Sequence, residues 1–175
     1  NYLGDWGTQF GKLIAGYKHF GERNKLEKES VKHMLELYVR GNEEIYAEEA
    51  RNWFKKLEDG DKEALTLWKK FKEVSLKEFN KLYNLMDISF DVISGESLYN
   101  NKMEQTIKEL KKKELLEESE GAQGVNLDKY GLGFCLIRKN DGATLYATRD
   151  ITAAIDRYKK FGFSQMIYEV GQEQK

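Results

Sequence analysis

Three side chains that can bind a ligand lie close together in the stretch ATLYATRDITAA, residues 143–154. An apolar, β-prone run changes there within three residues into an amphipathic pattern, and Tyr146, Arg149 and Asp150 lie at the change. Open α/β sheets bind their ligands at the carboxyl ends of strands, where a strand passes into a helix. The sequence therefore predicts a strand that ends near Tyr146, a helix over 149–160, and a ligand crevice at their junction.

The chemistry of this junction suits one kind of ligand. A second strand is predicted in SQMIYEVG, and Gln174 follows it, so Tyr146, Asp150 and Gln174 can face one crevice. A carboxylate and a phenolic oxygen suit a planar cation with several fixed N–H donors, and guanidinium is such a cation. The amide of Gln174 can hold an amino or carboxylate group at the other end of the ligand.

The same residues have an ordinary structural interpretation. An aspartate in a first helical turn is favoured by the helix dipole alone, and a tyrosine at a strand end is common packing. The turn GDWG (4–7) and the stretch SGES (94–97) name no activity by themselves. The chain contains no phosphate-binding loop, no serine-nucleophile elbow and no paired catalytic acids. Spacing alone therefore leaves both interpretations open, and no catalytic residue is predicted.

The first half of the chain is predicted to be largely helical. Thr8 is expected to cap a helix that stops at Gly21. Three amphipathic helices follow, separated by breaks at 41–42 and 58–61, and their apolar side chains recur with helical spacing. The stripes that define them are Val31, Met34, Leu35 and Tyr38, then Ile45, Tyr46, Ala50, Trp53, Phe54 and Leu57, then Leu67, Trp68, Phe71, Val74, Phe79, Leu82, Tyr83 and Met86.

The second half alternates strands with helices. A helix is predicted over 100–115, and Thr148 is expected to cap the helix that Gly162 ends. Asn140-Asp141-Gly142 is a strong hairpin signal. Short strands are predicted within the ranges 88–94, 115–127, 131–139, 143–147 and 164–171. The sequence therefore predicts the edge of an α/β unit, then a long and mostly helical insertion with a small β patch, and then a second α/β segment.

Composition narrows the class of protein. The 175 residues, 40% of them hydrophobic, suit one domain or one domain with a large insertion. The formal net charge of −1 gives no sign of nucleic-acid binding. A tRNA partner would therefore have to bind through local basic patches. The lysine run at 108–113 is the densest patch, but an acidic run follows it directly, which is typical of a solvated helix face.

Cysteine and histidine counts exclude two further kinds of site. A single cysteine, Cys135, excludes an internal disulfide, and with two histidines it cannot complete a His/Cys metal site. No run reaches the roughly 18 apolar residues of a membrane span, and no signal peptide is present. These features predict a cytoplasmic protein without a bound metal.

The sequence starts at Asn1 rather than Met and ends just after a predicted strand. These two features predict a piece cut from a longer polypeptide.

Five stretches resemble successive blocks of the arginyl-tRNA synthetases, in that family's order and spacing. The resemblance spans nearly the whole chain, and its Gly-Asp-Trp-Gly-Thr-Gln-Phe-Gly and Tyr-x-Thr-Arg-Asp blocks are highly specific. The stretches are NYLGDWGTQFGKLI (1–14), DISFDVISGES (87–97), ESEGA (118–122), DGATLYATRDITAAIDRY (141–158) and MIYEVGQEQ (166–174).

The resemblance implies a fold and a division of the chain. The family has an α/β, Rossmann-type class I core interrupted by a connective insertion, here mostly helical with a small β patch. Residues 1–21 would then be the end of the first Rossmann half. Residues 22–143 would be the insertion with its flanking helices, and residues 144–175 the start of the second half.

The resemblance also implies the ligands. Tyr146 and Asp150 would hold the guanidinium of L-arginine, with Gln174 near its amino-acid end. The turn residues would form part of the pocket wall; they are Asp5, Trp6 and Gln9. The complete enzyme would activate arginine with ATP and Mg²⁺ and transfer it to tRNA(Arg).

The family's His-x-Gly-His and Lys-Met-Ser-Lys-Ser-type signatures are missing from this sequence, so the piece alone is expected to be inactive and to bind no cofactor tightly. The alternative is a non-catalytic helical module of the same origin that binds tRNA or a protein through 26–86 and the lysine run.

Overall fold

The computed structural model describes residues 1–140, 142 and 144–172, and these form two compact units. The first unit spans residues 1–95 and the second begins at Glu96. The chain is α/β in composition, with seven α-helices and two small sheets among the described residues. None of those helices is both long and apolar enough to cross a membrane.

The first unit is a helical bundle with a short parallel strand pair. Strand β1 is Tyr2–Leu3 and strand β2 is Ser94–Gly95, paired parallel with Tyr2 opposite Ser94. The helices between them are α1 (Thr8–Phe20), α2 (Arg23–Lys28), α3 (Ser30–Gly41), α4 (Ala47–Glu58) and α5 (Lys62–Leu85). The predicted helix that stops at Gly21 and the predicted breaks at 41–42 and 58–61 are therefore confirmed.

Glycine lets the backbones of the first unit come very close. A Cβ atom at Gly11 would lie 2.1 Å from the carbonyl oxygen of Ala50 in α4, and one at Gly16 would lie 2.0 Å from that of Leu37 in α3. No other residue fits at either place without moving a neighbouring backbone. Around these crossings lies the main core, whose largest fully buried side chains include Ile14, Leu26, Leu37, Leu57 and Phe71.

Three predictions in the first unit are wrong in detail. Gly7, not Thr8, is the residue that precedes α1, and no side chain caps that helix. In α3 the buried face carries Met34 and Leu37, whereas Val31 and Leu35 of the predicted stripe are exposed. Of the predicted strand over 88–94, only Ser94 lies in a strand, the two-residue β2, which pairs with the two residues of β1.

The second unit combines an antiparallel sheet with two helices. Its strands are β3 (Glu117–Ser119), β4 (Ala122–Asn126) and β5 (Phe134–Arg138), in the order β3-β4-β5. Its helices are α6 (Met103–Lys112) and α7 (Tyr146–Phe161). Helix α7 ends at Gly162, which has the left-handed conformation (φ 58°) expected of a C-terminal glycine.

Both strands predicted to flank α7 are corrected by the structure. Within the described part of the first, residues 144–147, a single bridge from Thr144 to Arg138 is formed, and the helix already begins at Tyr146. Thr148 consequently lies inside α7 and does not precede it. In the second, 164–171, no strand is formed, and Ile167, Tyr168 and Val170 are exposed. β-prone residues form a strand only where a partner edge is available. Thr144 reaches the end of β5 through one bridge, and residues 164–171 pair with no described strand.

Candidate functional site

The start of α7 brings together two of the predicted ligand-binding side chains. Leu145 is extended (φ −119°, ψ 171°), and Tyr146 is the first helical residue. Asp150 follows four residues later, so the two side chains lie on one face of the helix in successive turns. The carboxylate lies close enough to the phenol to influence its pKa, both through its charge and as a hydrogen-bond acceptor.

The surroundings of Tyr146 keep its phenol protonated. Its pKa is raised above the ordinary value, first by burial of the hydroxyl, although 56% of the residue's surface is exposed. The negative charge of Asp150 and the hydrogen bond to it raise the pKa further, and Glu96 and Tyr168 add smaller contributions. At neutral pH the hydroxyl is therefore a hydrogen-bond donor that lies close to more than one acidic group.

Arg149 engages the second carboxylate of this region. Its Nη1 lies 3.4 Å from Oε2 of Glu96, and its Nε donates to Oδ1 of Asn100 over 3.3 Å. The side chains of Arg149 and Glu96 are only 12% and 13% exposed. Arg149 thus links the segment at 96–100 to the first turn of α7.

Two threonines hold α7 on its neighbours. The hydroxyl of Thr148, fully buried, donates to the carbonyl of Ile137 in β5 over 2.5 Å and accepts the Leu145 N–H at 3.4 Å. Thr152, one turn later, has its hydroxyl 2.8 Å from that of Thr106 in α6. Because the threonine face is buried, these contacts fix the rotation of α7 about its own axis.

Asp150 has no cationic partner among the described residues. It is half-buried, and none of the ion pairs between described residues involves it. The adjacent guanidinium, that of Arg149, is directed to Glu96. A half-buried carboxylate next to a phenol can accept N–H bonds from an incoming cation, and a planar cation can use both carboxylate oxygens at once.

The third predicted ligand residue, Gln174, lies outside the described residues. Three side chains near the start of α7 escaped the sequence analysis: Glu96, Asn100 and Tyr168. Glu96 belongs to the SGES stretch, and its 53-residue separation from Arg149 left no signal in the sequence. Only a spatial pairing could have distinguished it from a surface glutamate.

The three turn residues predicted as a pocket wall lie in the first unit. Asp5 is buried, and its Oδ2 lies 2.5 Å from the ammonium of Lys72. Trp6 is also buried, and its ring contacts that of Trp68 edge to face at 5.3 Å. Gln9 is exposed, and its side-chain amide donates to the carbonyl of Trp6 at 3.2 Å. Asp5 and Trp6 are therefore core residues, and Gln9 closes the turn.

No metal centre is evident in this part of the molecule. Within the described ranges, residues 1–140, 142 and 144–172, no three His, Cys, Asp or Glu side chains are grouped as ligands for an ion. Cys135 lies half-buried in β5. The polar chemistry of the site is that of carboxylates, a phenol and a guanidinium.

Comparison with known sequences gives one family over the full chain. Residues 1–175 match the family described as tRNA synthetases class I (R), catalytic domain. The arginine–tRNA ligase of Ligilactobacillus salivarius is 52% identical over 179 aligned residues, 99% of this chain and 32% of that protein. The corresponding ligase of Streptococcus uberis is 53% identical with the same coverage. The chain thus spans about a third of the length of these curated relatives.

Solved structures give the same result. The crystal structure of arginyl-tRNA synthetase from Plasmodium falciparum superposes with a TM-score of 0.74 and 30% identity, over 90% of this chain and 27% of that chain. A putative arginyl-tRNA synthetase from Campylobacter jejuni superposes with a TM-score of 0.58 at 17% identity, which shows similarity of fold. Because these matches cover nearly the whole chain, they do not favour the alternative of a separate interaction module.

Proposed function

The chain belongs to the family of class I (R) tRNA synthetase catalytic domains, and we propose that it is the central part of an arginine–tRNA ligase that supplies part of the site for free arginine. The observation that carries this proposal is the pair at the start of α7. Asp150 presents a half-buried carboxylate one helical turn from the phenol of Tyr146, while Glu96 engages the neighbouring guanidinium of Arg149.

The pair suits the side chain of arginine. The carboxylate of Asp150 accepts two N–H bonds from one edge of a guanidinium, and the phenolic oxygen of Tyr146 accepts a third. Arg149 already pairs with Glu96 through one contact, whereas Asp150 forms no ion pair between described residues and can accept a cation.

Selectivity follows from the same geometry. Lysine offers a compact ammonium without a fork, and citrulline offers an uncharged group of similar shape. Either ligand leaves a charge-assisted bond of Asp150 unmade, at a cost of about 1.5–3 kcal/mol for each bond lost. The site therefore discriminates by leaving Asp150 unsatisfied with the wrong ligand.

The remaining predicted residues take supporting roles in this proposal. Gln174 holds the amino-acid end of arginine. The arginyl-tRNA synthetases, which the chain resembles, have a glutamine with this role after the Ile-Tyr pair of the stretch that corresponds to 166–174. Asp5 and Trp6 act through the packing of the first unit, because both are buried there. Gln9 shapes the end of the Gly4–Gly7 turn, where its amide bonds to Trp6.

The division of the chain is proposed on the order of its family-like blocks. Residues 1–21 end one half of a Rossmann-type core, residues 22–143 form the connective insertion with flanking helices, and residues 144–175 begin the other half. Strand β1, in the first of these segments, pairs in parallel with β2, which lies inside the proposed insertion. The compact units divide between Gly95 and Glu96, within the proposed insertion.

The complete protein is proposed to join arginine to ATP, with Mg²⁺, and to pass the activated arginine to tRNA(Arg) in the cytoplasm. The His-x-Gly-His and Lys-Met-Ser-Lys-Ser-type signatures that stabilise the phosphates in this family do not occur in the 175 residues. This part of the protein accordingly binds the side chain of arginine. The activation step also needs the phosphate-stabilising groups, which these 175 residues do not supply.

Substitution of Asp150 in the full-length ligase tests the proposal. Asp150→Asn removes the charge and one acceptor, so the KM for arginine should rise about 10- to 100-fold, the equivalent of one charge-assisted bond. Asp156→Asn is the matched control, because Asp156 lies on the same helix but pairs with Lys102 of the segment before α6. An unchanged KM in Asp150→Asn, or an equal rise in both variants, would remove Asp150 from the arginine site.

A further inference from the structure

A hollow in the first unit has a chemistry that the arginine site does not use. It lies where α1, the end of α3 and the start of α4 meet, and its volume is about 260 Å³. Thr8 and Lys12 line it from α1, Asn42 lines it after α3, and Arg51 lines it from α4, with small residues between them. This volume exceeds the share of a single water, about 30 Å³, several times over.

The walls of this hollow are backbone in close contact. A Cβ atom at Gly41 would lie 2.0 Å from the carbonyl oxygen of Lys12, and one at Gly11 would lie 2.1 Å from that of Ala50. Contacts this close leave α1, α3 and α4 no room to shift against one another. The Cα positions of Lys12 and Arg51 are therefore fixed relative to each other, although both side chains keep some freedom.

The charges around the hollow are unbalanced. Lys12 and Arg51 form none of the ion pairs between described residues, and none of the residues that line the hollow is acidic. The ammonium of Lys12 lies 5.9 Å from the ring centre of Tyr38, on the neighbouring helix. Glu49, two residues before Arg51 in α4, is engaged by His19 and Trp53.

The start of α1 adds a positive field. Thr8 is the first residue of this 13-residue helix, its first turn contains no acid, and no side chain caps its free N–H groups. The partial positive charge of a helix start is usually offset by an acidic or capping side chain. Here that offset is missing at the point where Thr8 meets the hollow.

We infer that this hollow binds a phosphate group. Arg51 provides a planar fork that matches two phosphate oxygens, and Lys12 provides a point charge for a third. The hydroxyl of Thr8, the amide of Asn42 and the first N–H groups of α1 provide neutral donors. A free phosphate compound and a nucleic-acid backbone present the same group. The inference goes beyond the proposed arginine site and does not depend on it.

Hydrogen exchange of the full-length protein, with inorganic phosphate as the probe, tests the inference at the site itself. Phosphate should slow exchange in peptides covering 8–12 and 47–51 of the wild type. In Lys12→Gln/Arg51→Gln the apparent phosphate affinity should fall about tenfold or more, the loss of charge-assisted bonds. Lys69→Gln, on the exposed face of α5, removes the same charge elsewhere and should behave as the wild type.

A second measurement separates the two sources of phosphate. If the group belongs to a tRNA backbone, each single variant should lower the slope of log K for tRNA against log salt by roughly one unit. If the slope is unchanged while the phosphate response is lost, the source is a small phosphate compound. Absence of phosphate-dependent slowing in the wild type, or equal slowing in the double variant, would overturn the inference. Neither measurement involves arginine, so failure of the proposed arginine site would be seen separately.

Discussion

The guanidinium of Arg149 lies 3.4 Å from the carboxylate of Glu96, and both side chains are almost nine-tenths buried. The pair joins the first turn of α7 to the segment before α6, and Asn100 accepts a further bond from Arg149. Removal of one partner from a buried ion pair leaves the other as an uncompensated charge. The attraction within the pair therefore contributes less to stability than the loss of one partner would cost, because the other charge would stay buried and unpaired.

Arg149→Gln should weaken the hold of α7 on the second unit. The buried Glu96 charge would lose its partner, so the local opening free energy of α7 should fall by about 3 kcal/mol. Hydrogen exchange of the α7 amides in the full-length protein measures this quantity directly. In Arg149→Gln/Glu96→Gln no charge is stranded, and the loss should be smaller than in the single variant. A double variant that loses as much as the sum of both singles would show that the two side chains are not coupled.

Substitutions of Thr148 can separate the contribution of its hydrogen bonds from the contribution of its side-chain volume. Thr148→Val keeps the shape of the side chain but leaves the Ile137 carbonyl and the Leu145 N–H without their partner. Unmade bonds at a fully buried position cost about 1–3 kcal/mol, so exchange at the start of α7 should accelerate by one to two orders of magnitude. Thr148→Ser keeps the hydroxyl and should recover most of the loss. Equal effects of valine and serine would assign the role of Thr148 to packing.

Gly16 gives a prediction in which two effects have opposite signs. In the interior of an exposed helix, alanine is more favourable than glycine by about 0.5–1 kcal/mol. At Gly16 a Cβ atom would lie 2.0 Å from the Leu37 carbonyl oxygen, and forced overpacking costs about 1–3 kcal/mol. Gly16→Ala should therefore lower the protection of amides in α1 and α3. Asn80→Ala, at an exposed position of α5, should raise protection slightly, and stabilisation by both variants would contradict the close contact.

Local signals in the sequence were sufficient for much of the fold. A glycine near the last periodic residue marked the ends of α1, α3 and α7, whereas Tyr146 was predicted at the end of a strand and proves to be the first residue of α7. The glycine signals depend on residues a few positions apart. They can be read without knowledge of the tertiary structure.

Features that depend on distant partners were not predictable in this way. Helix α3 has two apolar stripes, one with Met34 and Leu37 and another with Val31 and Leu35, and periodicity cannot tell which stripe is buried. The β-prone segment 164–171 forms no strand, because a strand also needs an available edge. The pair of Glu96 with Arg149 has the same origin, since 53 residues separate its members.

Tyr146 provides the pH-dependent prediction. Burial, the charge of Asp150 and their hydrogen bond raise the pKa of its phenol, so the group titrates at higher pH in the folded protein than in the unfolded chain. A raised pKa contributes stability that is complete below the unfolded value, about 10, and is lost as pH rises through the folded value. The phenol of Tyr146 should therefore stay protonated throughout the neutral range, and the stability it contributes should be lost only as the pH rises above about 10.

Asp150→Asn should bring the pKa of Tyr146 part of the way back to its ordinary value, because the charge is removed and the burial remains. Titration of ¹³C-labelled tyrosine by NMR, with the Tyr146 signal assigned by its loss in Tyr146→Phe, follows this one phenol among the ten tyrosines. Asp156→Asn removes an equal charge from a later turn of α7 that faces Lys102, and it should leave the titration of Tyr146 unchanged. If Asp150→Asn also leaves it unchanged, the two side chains do not interact in solution, and the arginine site would lose the contact on which it is built.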